Sequence, residues 1–370
     1  MNTRDTKKVV HILWSGGIGG IEEYTLTLLK HFDYSKYKIY LCILSERGLI
    51  FKETNKLSSI HVTFINMKNG FDMLGAFRFI KYLRREKFDI IHSNMRNFLS
   101  TAVLGLFTYK TPKILTHHLS PGDLRRFKKN KLFYRLFSKV FSRIIGISNA
   151  TKNFMINNLD VKHPHEIEVI HFCIDLNKFN KSSTIPSDLL DQESNKYIIG
   201  FIGRMVDFKR PYLFIEIANE LLTKNNFYFL MIGDGPELEK CKQLIHHYKI
   251  DEHFKLLGFR RDIPDILRLF DALLFTSAGE GFGLVLIEAM AMGIPIFAIN
   301  EGAVPEIINH KDNGILLNTT DPKLIAKQIL EVIEDKTLID KIKKQCIKDI
   351  HSKFSPSVCV QKLENVYEKL

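Results

Sequence analysis

Short apolar segments alternate with amphipathic stretches along the whole chain. This alternation predicts an α/β protein in which parallel strands are joined by helices. In the first half the expected strands are Val9–Trp14, Lys38–Leu44, His61–Ile65, Ile90–His92, Lys113–Thr116 and Ile144–Ile147. The helical stretches between them include Glu22–His31, Leu74–Arg85 and Leu132–Phe141.

The alternation stops at a polar segment that begins at Asn180 and contains Pro186, a composition typical of a linker. It then resumes with expected strands at Tyr197–Ile202, Phe227–Ile232, Phe254–Leu257, Ala272–Thr276, Ile294–Ile299 and Gly314–Leu317. Two α/β halves of similar size are therefore expected, followed by one last helix over 355–370.

The composition is that of an ordinary globular protein. The 370 residues are 45% hydrophobic and 25% charged, and they are enough for two packed domains. The five scattered cysteines include no C-x-x-C pair, which disfavours a zinc site or disulfide framework and indicates a reducing compartment. Since no long apolar run or secretory segment is apparent, we expect a cytoplasmic protein.

The net charge of +12 is concentrated in the first half. Residues 1–180 carry 29 Lys and Arg against 14 Asp and Glu, whereas residues 181–370 carry 24 against 27. This asymmetry predicts an anionic partner for the first half, either a membrane surface or nucleic acid. A nucleic-acid-binding protein is the less favoured interpretation, because no recognisable binding module is present.

The most basic segment is 124–143, with eight Lys or Arg, no Asp or Glu, and aromatic residues at near-helical spacing. Such a segment is typical of a helix that lies on an anionic membrane. A core-packed helix with a solvated basic face fits the segment equally well. The charge of the whole half favours contact with the inner face of the cell membrane.

A glycine-rich segment follows the expected strand Ala272–Thr276 and leads into a helix. Glycines let the backbone approach a ligand, and a helix N-terminus offers unpaired N–H groups with a positive dipole end, so a diphosphate is the expected guest. Glu280 lies in the loop and Glu288 lies inside the helix, where carboxylates accept hydrogen bonds from sugar and ribose hydroxyls. An ordinary Gly-rich helix start is the alternative.

Arg204 and Lys209 follow the expected strand Tyr197–Ile202. The planar fork of Arg and the point charge of Lys suit a pyrophosphate. On this segment alone, a surface loop with two solvated cations is the better interpretation. Further glycine turns follow strands at 233–236 and 258–260. Because ligands of open α/β sheets bind outside the carboxyl ends of strands, these strand ends together describe one candidate crevice.

Two strand ends in the first half also carry candidate chemistry. The glycine loop 16–20 is not a dinucleotide fingerprint, since Glu22 stands where the third glycine is required, and NAD binding is disfavoured. A loop that approaches a phosphate or sugar still fits. His117 and His118 end another strand, where a histidine can bind a sugar hydroxyl, although a lone histidine is more often structural. Adjacent residues on a strand point opposite ways, so one of the two at most faces a ligand.

Taken together, these motifs resemble the retaining GT-B glycosyltransferases of the glycosyl transferases group 1 family (family 4). The most specific element is Glu-x7-Glu, from Glu280 to Glu288 in EGFGLVLIE. Around it fall GRMVDFK at 203–209, GDGP at 233–236, GFRRD at 258–262 and GAVPEII at 302–308. GGIGGIEEY, DIIHSN, THH and GISNATKNF resemble the family's more variable first-half signatures, so the resemblance covers nearly the whole chain.

The resemblance implies an α/β GT-B fold, with two Rossmann-like domains facing a central cleft. The first, acceptor-side domain would span 1–178, and the C-terminal helix 355–370 would cross back to it. The second domain, 179–354, would bind the nucleotide sugar.

It also implies roles for residues of the second domain. Arg204 and Lys209 would bind the diphosphate, Glu288 would hold the ribose, and Glu280 would contact the donor sugar. The backbone of Phe282, Gly283 and Leu284 would also take part in donor binding.

In the first domain, Gly17 and Gly19 would approach the donor from across the cleft. His118 would be the histidine of the catalytic centre, with His117 as the reserve. The catalytic set implied by the resemblance is therefore His118, Glu280, Arg204 and Lys209.

The implied activity is retaining transfer of a hexose from a nucleotide sugar, expected to be of the UDP type, to a saccharide or lipid-linked acceptor. Bacterial cell-surface polysaccharide or lipopolysaccharide biosynthesis is the expected setting, with neither a metal nor another cofactor required. No residue is placed as a covalent nucleophile, which favours a same-face mechanism over double displacement. A GT-B epimerase or phosphorylase is the nearest alternative, and the order of the motifs disfavours it.

One departure from the family pattern is plain. The family usually shows an Asn-Gly-(Ile/Val)-Asp turn before the interdomain crossing, whereas this chain has Phe172-Cys173-Ile174-Asp175. We expect this change to reshape the acceptor side or the hinge and to leave the diphosphate residues untouched.

Overall fold

The computed structural model describes residues 6–17, 19–94, 98–108, 110–118, 139–159, 167–179, 196–223 and 226–370. Its contacts divide the chain into two compact units. Unit 1 comprises Met1–Ile174 and Pro356–Leu370, and unit 2 comprises Asp175–Ser355. The sequence placed the corresponding boundaries after 178 and after 354.

Unit 1 is built on a seven-stranded sheet in the order β3-β2-β1-β4-β5-β6-β7, with every neighbouring pair parallel. The strands are β1 Lys7–Ser15, β2 Tyr37–Glu46, β3 Ile60–Phe64, β4 Ile90–Ser93, β5 Lys113–His117, β6 Arg143–Gly146 and β7 Ile167–Val169. The six strands expected from the sequence are all present, and β7 is an addition.

The described helices of unit 1 are α1 Gly20–His31, α2 Gly48–Thr54, α3 Met73–Glu86, α4 Phe98–Phe107, α5 Asn149–Leu159 and, at the end of the chain, α13 Pro356–Glu368. Of the helix expected over Leu132–Phe141, only residues 139–141 are described, and they are not helical. That part of the prediction is wrong, since residues 139 and 140 form a turn ahead of β6.

The core of unit 1 follows from strands that are covered on both faces. Val9, Val10 and Ile12 of β1 are all fully buried, which explains why apolar residues occupy neighbouring positions in the middle of this strand and do not alternate with exposed polar ones. Helix α3 begins where the Asp72 carboxylate accepts a hydrogen bond from the Gly75 N–H at 2.9 Å, the usual N-cap arrangement. It ends at Lys87, which has left-handed backbone angles.

The last helix, α13, packs within unit 1, as the resemblance implies. It buries six side chains there, those of Pro356, Cys359, Val360, Leu363, Val366 and Tyr367. The Tyr367 hydroxyl lies 2.7 Å from Nδ1 of His92 on β4 and 3.1 Å from Nε2 of His11 on β1. A buried hydrogen-bond network therefore ties the end of the chain to the two central strands.

Unit 2 has a six-stranded parallel sheet in the order β10-β9-β8-β11-β12-β13. The strands are β8 Tyr197–Ile202, β9 Phe227–Ile232, β10 Phe254–Gly258, β11 Ala272–Phe275, β12 Ile296–Ile299 and β13 Ile315–Leu317. Both units thus have the strand order of a Rossmann-like doubly wound sheet.

The helices of unit 2 are α6 Pro211–Leu222, α7 Leu238–Tyr248, α8 Ile263–Leu267, α9 Leu284–Ala291, α10 Val304–Ile307, α11 Pro322–Glu334 and α12 Lys336–Lys353. Two short 3-10 turns, Asp207–Lys209 and Asp251–His253, accompany them. Across both units, none of the helices in the described ranges combines the length and apolar character needed to cross a bilayer.

Candidate functional site

The candidate site of unit 2 lies at the switch point of its sheet. Strands β8 and β11 are neighbours in the sheet, although two other strands separate them in the sequence. The chain winds outward in opposite directions from this pair, which leaves a crevice beyond the carboxyl ends of the two strands. The loop carrying Arg204 and Lys209 follows β8, and the loop carrying Glu280 follows β11, so the topology brings these loops to one place.

Lys209 and Glu280 are in direct contact. The Nζ of Lys209 lies 2.5 Å from Oε2 of Glu280, and the two side chains are only 14% and 16% exposed. The same ammonium lies 5.4 Å from the ring centroid of Phe275 and 5.6 Å from that of Phe208. A charge-assisted hydrogen bond and two aromatic rings therefore hold the lysine head in one position.

The backbone of the Lys209 turn is joined to the neighbouring loop. The Thr276 hydroxyl, just after β11, can donate its hydrogen to either of two carbonyl oxygens. The Lys209 oxygen lies 2.8 Å away and the Arg210 oxygen 3.1 Å away. The Ala278 N–H donates to the Phe208 carbonyl at 2.6 Å. These bonds connect the loops at the carboxyl ends of β8 and β11 and fix the position of the Lys209 backbone relative to the sheet.

A second ion pair at this edge was missed by the sequence analysis. Arg210 donates two hydrogen bonds to the Glu301 carboxylate, at 2.7 and 3.2 Å, in a bidentate arrangement. Glu301 follows β12 and directly precedes the motif at 302–308, and Arg210 directly follows Lys209. Those adjacencies were the available signal, but nothing local to either residue shows that the two loops meet.

The loop after β12 also supports Glu280 through its backbone. The Ala303 N–H donates to the Glu280 carbonyl at 3.1 Å. Gly302 has a φ of +61°, and a Cβ placed there would lie 2.6 Å from the same carbonyl oxygen. Only glycine therefore fits this close approach.

Helix α9 begins at the end of the Glu280 loop. Gly283 is its N-cap, with a φ of +92°, and Leu284 is its first residue. The first N–H groups of a helix have no partner within the helix, so they form an anion-binding end. Phe282 is 1% exposed and packs on Phe354, which anchors this end in the core of unit 2. Glu288 is half-buried one turn further along.

Arg204 lies where the loops after β8 and β9 meet. Its neighbour Gly203 donates its N–H to the Ile232 carbonyl at 2.9 Å. Gly233 has a φ of +136°, and a Cβ there would lie 1.9 Å from the Gly203 carbonyl oxygen. The Arg204 side chain is exposed at this junction. The close approach to Gly203 therefore explains the first glycine of the GDGP turn. The same contacts hold the backbone next to Arg204 in place.

The glycine loop of unit 1 follows β1. The Gly16 N–H donates to the Glu46 carbonyl at 2.6 Å, which ties the loop to the end of β2. The Gly17 N–H donates to the Ser15 hydroxyl at 3.0 Å. Gly19 is the extended N-cap of α1. Both predicted glycines therefore lie at the carboxyl edge of the sheet in unit 1.

The two adjacent histidines have different environments. His117 is the last residue of β5 and is 2% exposed, whereas His118 is half-buried. Nε2 of His118 lies 3.3 Å from Oδ1 of Asn94, at the end of β4. Its ring stacks on Phe172, with centroids 5.6 Å apart and planes inclined by 21°. The first residue of the departure at 172–175 thus packs directly against His118.

The structure accordingly gathers the unit 2 candidates at one sheet edge, with Lys209 and Glu280 in contact. Gly17, Gly19 and His118 lie at the carboxyl edge of the unit 1 sheet. In the part of the chain that is described, no three His, Cys, Asp or Glu side chains form a group able to hold a metal ion. The individual roles of these residues stay predictions.

Comparison with known families decides the identity. Residues 188–349 match the family model described as Glycosyl transferases group 1, and residues 18–178 match the model described as Glycosyltransferase Family 4. The chain belongs to this glycosyltransferase family. In the glycosyltransferase, the first of these segments lies in unit 2, and the second lies in unit 1 except for its last four residues, 175–178.

Similar proteins span the full length of this glycosyltransferase. UDP-Gal:alpha-D-GlcNAc-diphosphoundecaprenol alpha-1,3-galactosyltransferase of Escherichia coli is 26% identical over 395 aligned positions, which cover 99% of this chain and 98% of the relative. The crystal structure of Anabaena HepE in complex with UDP and glucose has a TM-score of 0.79 at 22% identity and covers 98% of this chain and 100% of that chain. The lipopolysaccharide outer core galactosyltransferase WaaB has a TM-score of 0.72 at 19% identity, with 98% and 100% covered. The glycosyltransferase therefore has the GT-B fold.

Proposed function

We propose that this glycosyltransferase moves a hexose from a UDP-type nucleotide sugar to a saccharide or lipid-linked acceptor, with retention at the anomeric carbon and without a metal. The setting is bacterial cell-surface polysaccharide or lipopolysaccharide biosynthesis. The observation that supports the proposal best is the Lys209–Glu280 contact at the switch point of unit 2, beside the start of α9.

In this proposal the leaving diphosphate is stabilised by charge. Arg204, Lys209 and the N–H groups at Gly283 and Leu284 supply positive potential where negative charge develops as the glycosidic bond to the diphosphate breaks. Preorganised donors of this kind are usually the largest single contribution to catalysis. The buried setting of Lys209 favours this role, because its ammonium is already oriented before the donor binds.

The carboxylates hold the neutral parts of the donor. Glu280 accepts hydrogen bonds from hydroxyls of the donor sugar, and Glu288 accepts them from the ribose. Phe282 fixes the backbone between the two by its burial. In unit 1, Gly17 and Gly19 allow the backbone to approach the donor, and His118 donates a hydrogen bond to the transferred sugar. Retention by a same-face route fits a site with no residue placed as a covalent nucleophile.

The nature of the donor and acceptor is supported by the relatives. The Escherichia coli relative is named for a UDP-galactose donor and a diphosphoundecaprenol-linked acceptor, and the HepE structure contains UDP and glucose. WaaB is named as a lipopolysaccharide galactosyltransferase. A lipid-linked acceptor places the reaction at the cytoplasmic face of the membrane, and peripheral contact through 124–143 is part of the proposal. Residues 124–138 lie outside the described residues.

A screen of sugar nucleotides by thermal shift tests the donor class. A true donor or its nucleoside diphosphate raises the unfolding temperature by mass action. Transfer is then measured with the best donor and a panel of lipid-linked and saccharide acceptors, with and without a chelator. The product anomer is assigned by NMR.

Two variants and one control test the site. We expect Glu280→Gln and Lys209→Ala to lose most transfer, whereas Lys327→Ala, which removes an exposed lysine from α11, keeps it. Full transferase activity in either site variant would overturn the assignment. Conversion of the sugar nucleotide without any acceptor would favour an epimerase instead.

A further inference from the structure

Helix α3 of unit 1 has large apolar side chains on its outward side. Phe71, just before the helix, is 77% exposed, and Met73, Leu74 and Phe77 are 70%, 74% and 67% exposed. Soluble proteins rarely expose clustered large apolar side chains unless the patch meets a partner.

The exposed residues are not the side of α3 that packs on the sheet. At 100° per residue, Phe79, Tyr82 and Leu83 share the inward side, and all three are buried. Met73 and Phe77 are four residues apart and lie on the opposite side, with Leu74 beside them. The helix is therefore apolar on two faces, and only one of them is used by the core of unit 1.

Cations continue the outward side towards the end of the helix. Lys81 lies four residues beyond Phe77, and Arg84 lies one turn further, and both are exposed. The Arg84 guanidinium lies 5.2 Å from the ring centroid of Phe107, at the end of α4. Arg78 and Arg85 lie along one side of this row, and each is paired with a carboxylate, Arg78 with Asp72 and Arg85 with Glu86. We call Phe71, Met73, Leu74, Phe77, Lys81 and Arg84 the α3 face.

We propose that the α3 face docks on the surface of an anionic phospholipid bilayer, with its apolar end inserted at the acyl boundary and its cationic end at the headgroups. Helices bind at the bilayer interface through buried apolar area together with the attraction of cations to anionic lipids, and the α3 face offers both. The α3 face has two cations and no carboxylate, so its charge is complementary to an anionic surface. The excess of 29 Lys and Arg over 14 Asp and Glu in residues 1–180 adds a long-range attraction to the same surface.

The surface differs from the segment 124–143 and does not depend on the proposed donor site. Binding to vesicles requires no turnover, so a failure of this inference and a failure of the proposed function are distinguishable. It would place the acceptor side of the enzyme at the membrane where a lipid-linked acceptor is found.

Flotation of the full chain with vesicles tests the inference. We expect binding to phosphatidylcholine vesicles that contain phosphatidylglycerol, and at least about tenfold weaker binding to phosphatidylcholine alone. Lys81→Glu with Arg84→Glu is expected to weaken binding by about 25-fold or more, at about fivefold for each cation lost. Leu74→Ser with Phe77→Ser is expected to weaken it by about tenfold or more. Leu324→Ser, which removes an exposed leucine from α11 of unit 2, is the matched control and keeps binding.

A fluorescence measurement keeps the inference testable if a variant folds poorly. The chain has a single tryptophan, Trp14, so Phe77→Trp in a Trp14→Phe background reports on the α3 face alone. Its emission is expected to shift to shorter wavelength when anionic vesicles are added. An unshifted emission, or unchanged flotation of both double variants, would overturn the inference. So would light scattering that shows a dimer in the wild type and a monomer after Leu74→Ser with Phe77→Ser, since the face would then pair two copies of the chain.

Discussion

Oε2 of Glu280 lies 2.5 Å from Nζ of Lys209, although the two residues are 71 positions apart in the chain. Both side chains are largely buried, so each charge depends on the other for its solvation. In the free enzyme the carboxylate thus orients the ammonium that the proposal assigns to the diphosphate.

A double-mutant cycle tests this dependence. We expect Lys209→Ala to lower kcat/KM by about 10²–10³, the range for loss of one preorganised charge-stabilising donor. Glu280→Gln should have a similar effect, because it removes the carboxylate that orients Lys209. The double variant is expected to lose little more than the worse single variant, because residues that act as a unit are not additive. Steady-state kinetics with a saturating acceptor provide the measurement. Losses that multiply would show that the two residues act independently.

Gly302 supports the position of Glu280, and its substitution separates a steric effect from a backbone effect. Gly302→Ala and Gly258→Ala place a side chain at nearly the same φ, +61° and +62°, but only the first meets a neighbouring atom within 4 Å. We expect Gly258→Ala to cost about 1 kcal/mol of unfolding free energy from backbone strain alone. Gly302→Ala should cost more and also lower kcat/KM, because the Glu280 carbonyl must move. Chemical denaturation and kinetics compare the two; equal effects on activity would contradict the steric explanation.

Arg204 and Arg210 are close in the sequence, but we expect Arg204 to affect donor binding and Arg210 to affect stability. Arg210 is held by Glu301, so Arg210→Ala should lower the unfolding free energy by about 1 kcal/mol, since the pair is bidentate but its carboxylate is 37% exposed. Arg204 is exposed, so Arg204→Ala should leave the unfolding midpoint unchanged and weaken UDP binding. Calorimetric titration with UDP and thermal unfolding together distinguish the two. A large stability loss in Arg204→Ala would contradict this division.

The buried histidines of unit 1 predict a pH dependence of stability. Burial lowers the pKa of His11 to about 3, and burial followed by the charge of His11 lowers the pKa of His92 well below its usual value. Below about pH 6.5 the unfolded chain takes up protons that the folded unit excludes, so stability falls as the pH drops towards 3. His11 alone should remove about 2 kcal/mol between pH 6.5 and 5.0, because the slope approaches about 1.4 kcal/mol per pH unit once the unfolded imidazole is protonated. His92 acts in the same direction.

Urea unfolding at several pH values measures this slope. His92→Gln should make the slope shallower, because one of the two titrating groups is gone. His246→Gln, in which the replaced histidine is 85% exposed, should leave the slope unchanged. An identical slope in wild type and His92→Gln would show that other groups govern the acid sensitivity.

Phe172 is predicted to position His118. Its ring stacks on the imidazole, so Phe172→Ala removes the support and should lower kcat with little change in the KM for the donor. Phe172→Tyr, which retains an aromatic ring, should restore most of the activity. His118→Ala should cost at least as much as Phe172→Ala. Loss of stability without a loss of kcat in Phe172→Ala would indicate a purely structural role.

Much of the fold was predictable from local patterns. The strands expected at Tyr197–Ile202 and Phe227–Ile232 coincide residue for residue with β8 and β9. The strand expected from Ile294 begins two residues later, because Pro295 has no N–H for a ladder. The missed strand β7 is only three residues long and contains Glu168, so it has no apolar run to reveal it.

The candidate site was predictable only in part. The residue types of Lys209, Arg204 and Glu280, and their places at strand ends, were apparent from the glycine-marked turns. The pairing of Arg210 with Glu301 was missed, because the two residues are 91 positions apart and neither stands in a distinctive local pattern. The exposure of Phe77 was also hidden, since an apolar residue in a helix is ordinarily expected to face the core.

The sequence by itself determined the order of strands and helices, the basic first half, and which strand ends carry glycine, carboxylate and cation. These properties depend on side chains within a few positions of one another. Only the tertiary structure decided that β8 and β11 are neighbours, that Lys209 therefore meets Glu280, and that α3 has an apolar face left over. Those outcomes depend on the packing of the whole sheet and its covering helices, which no local stretch of the chain specifies.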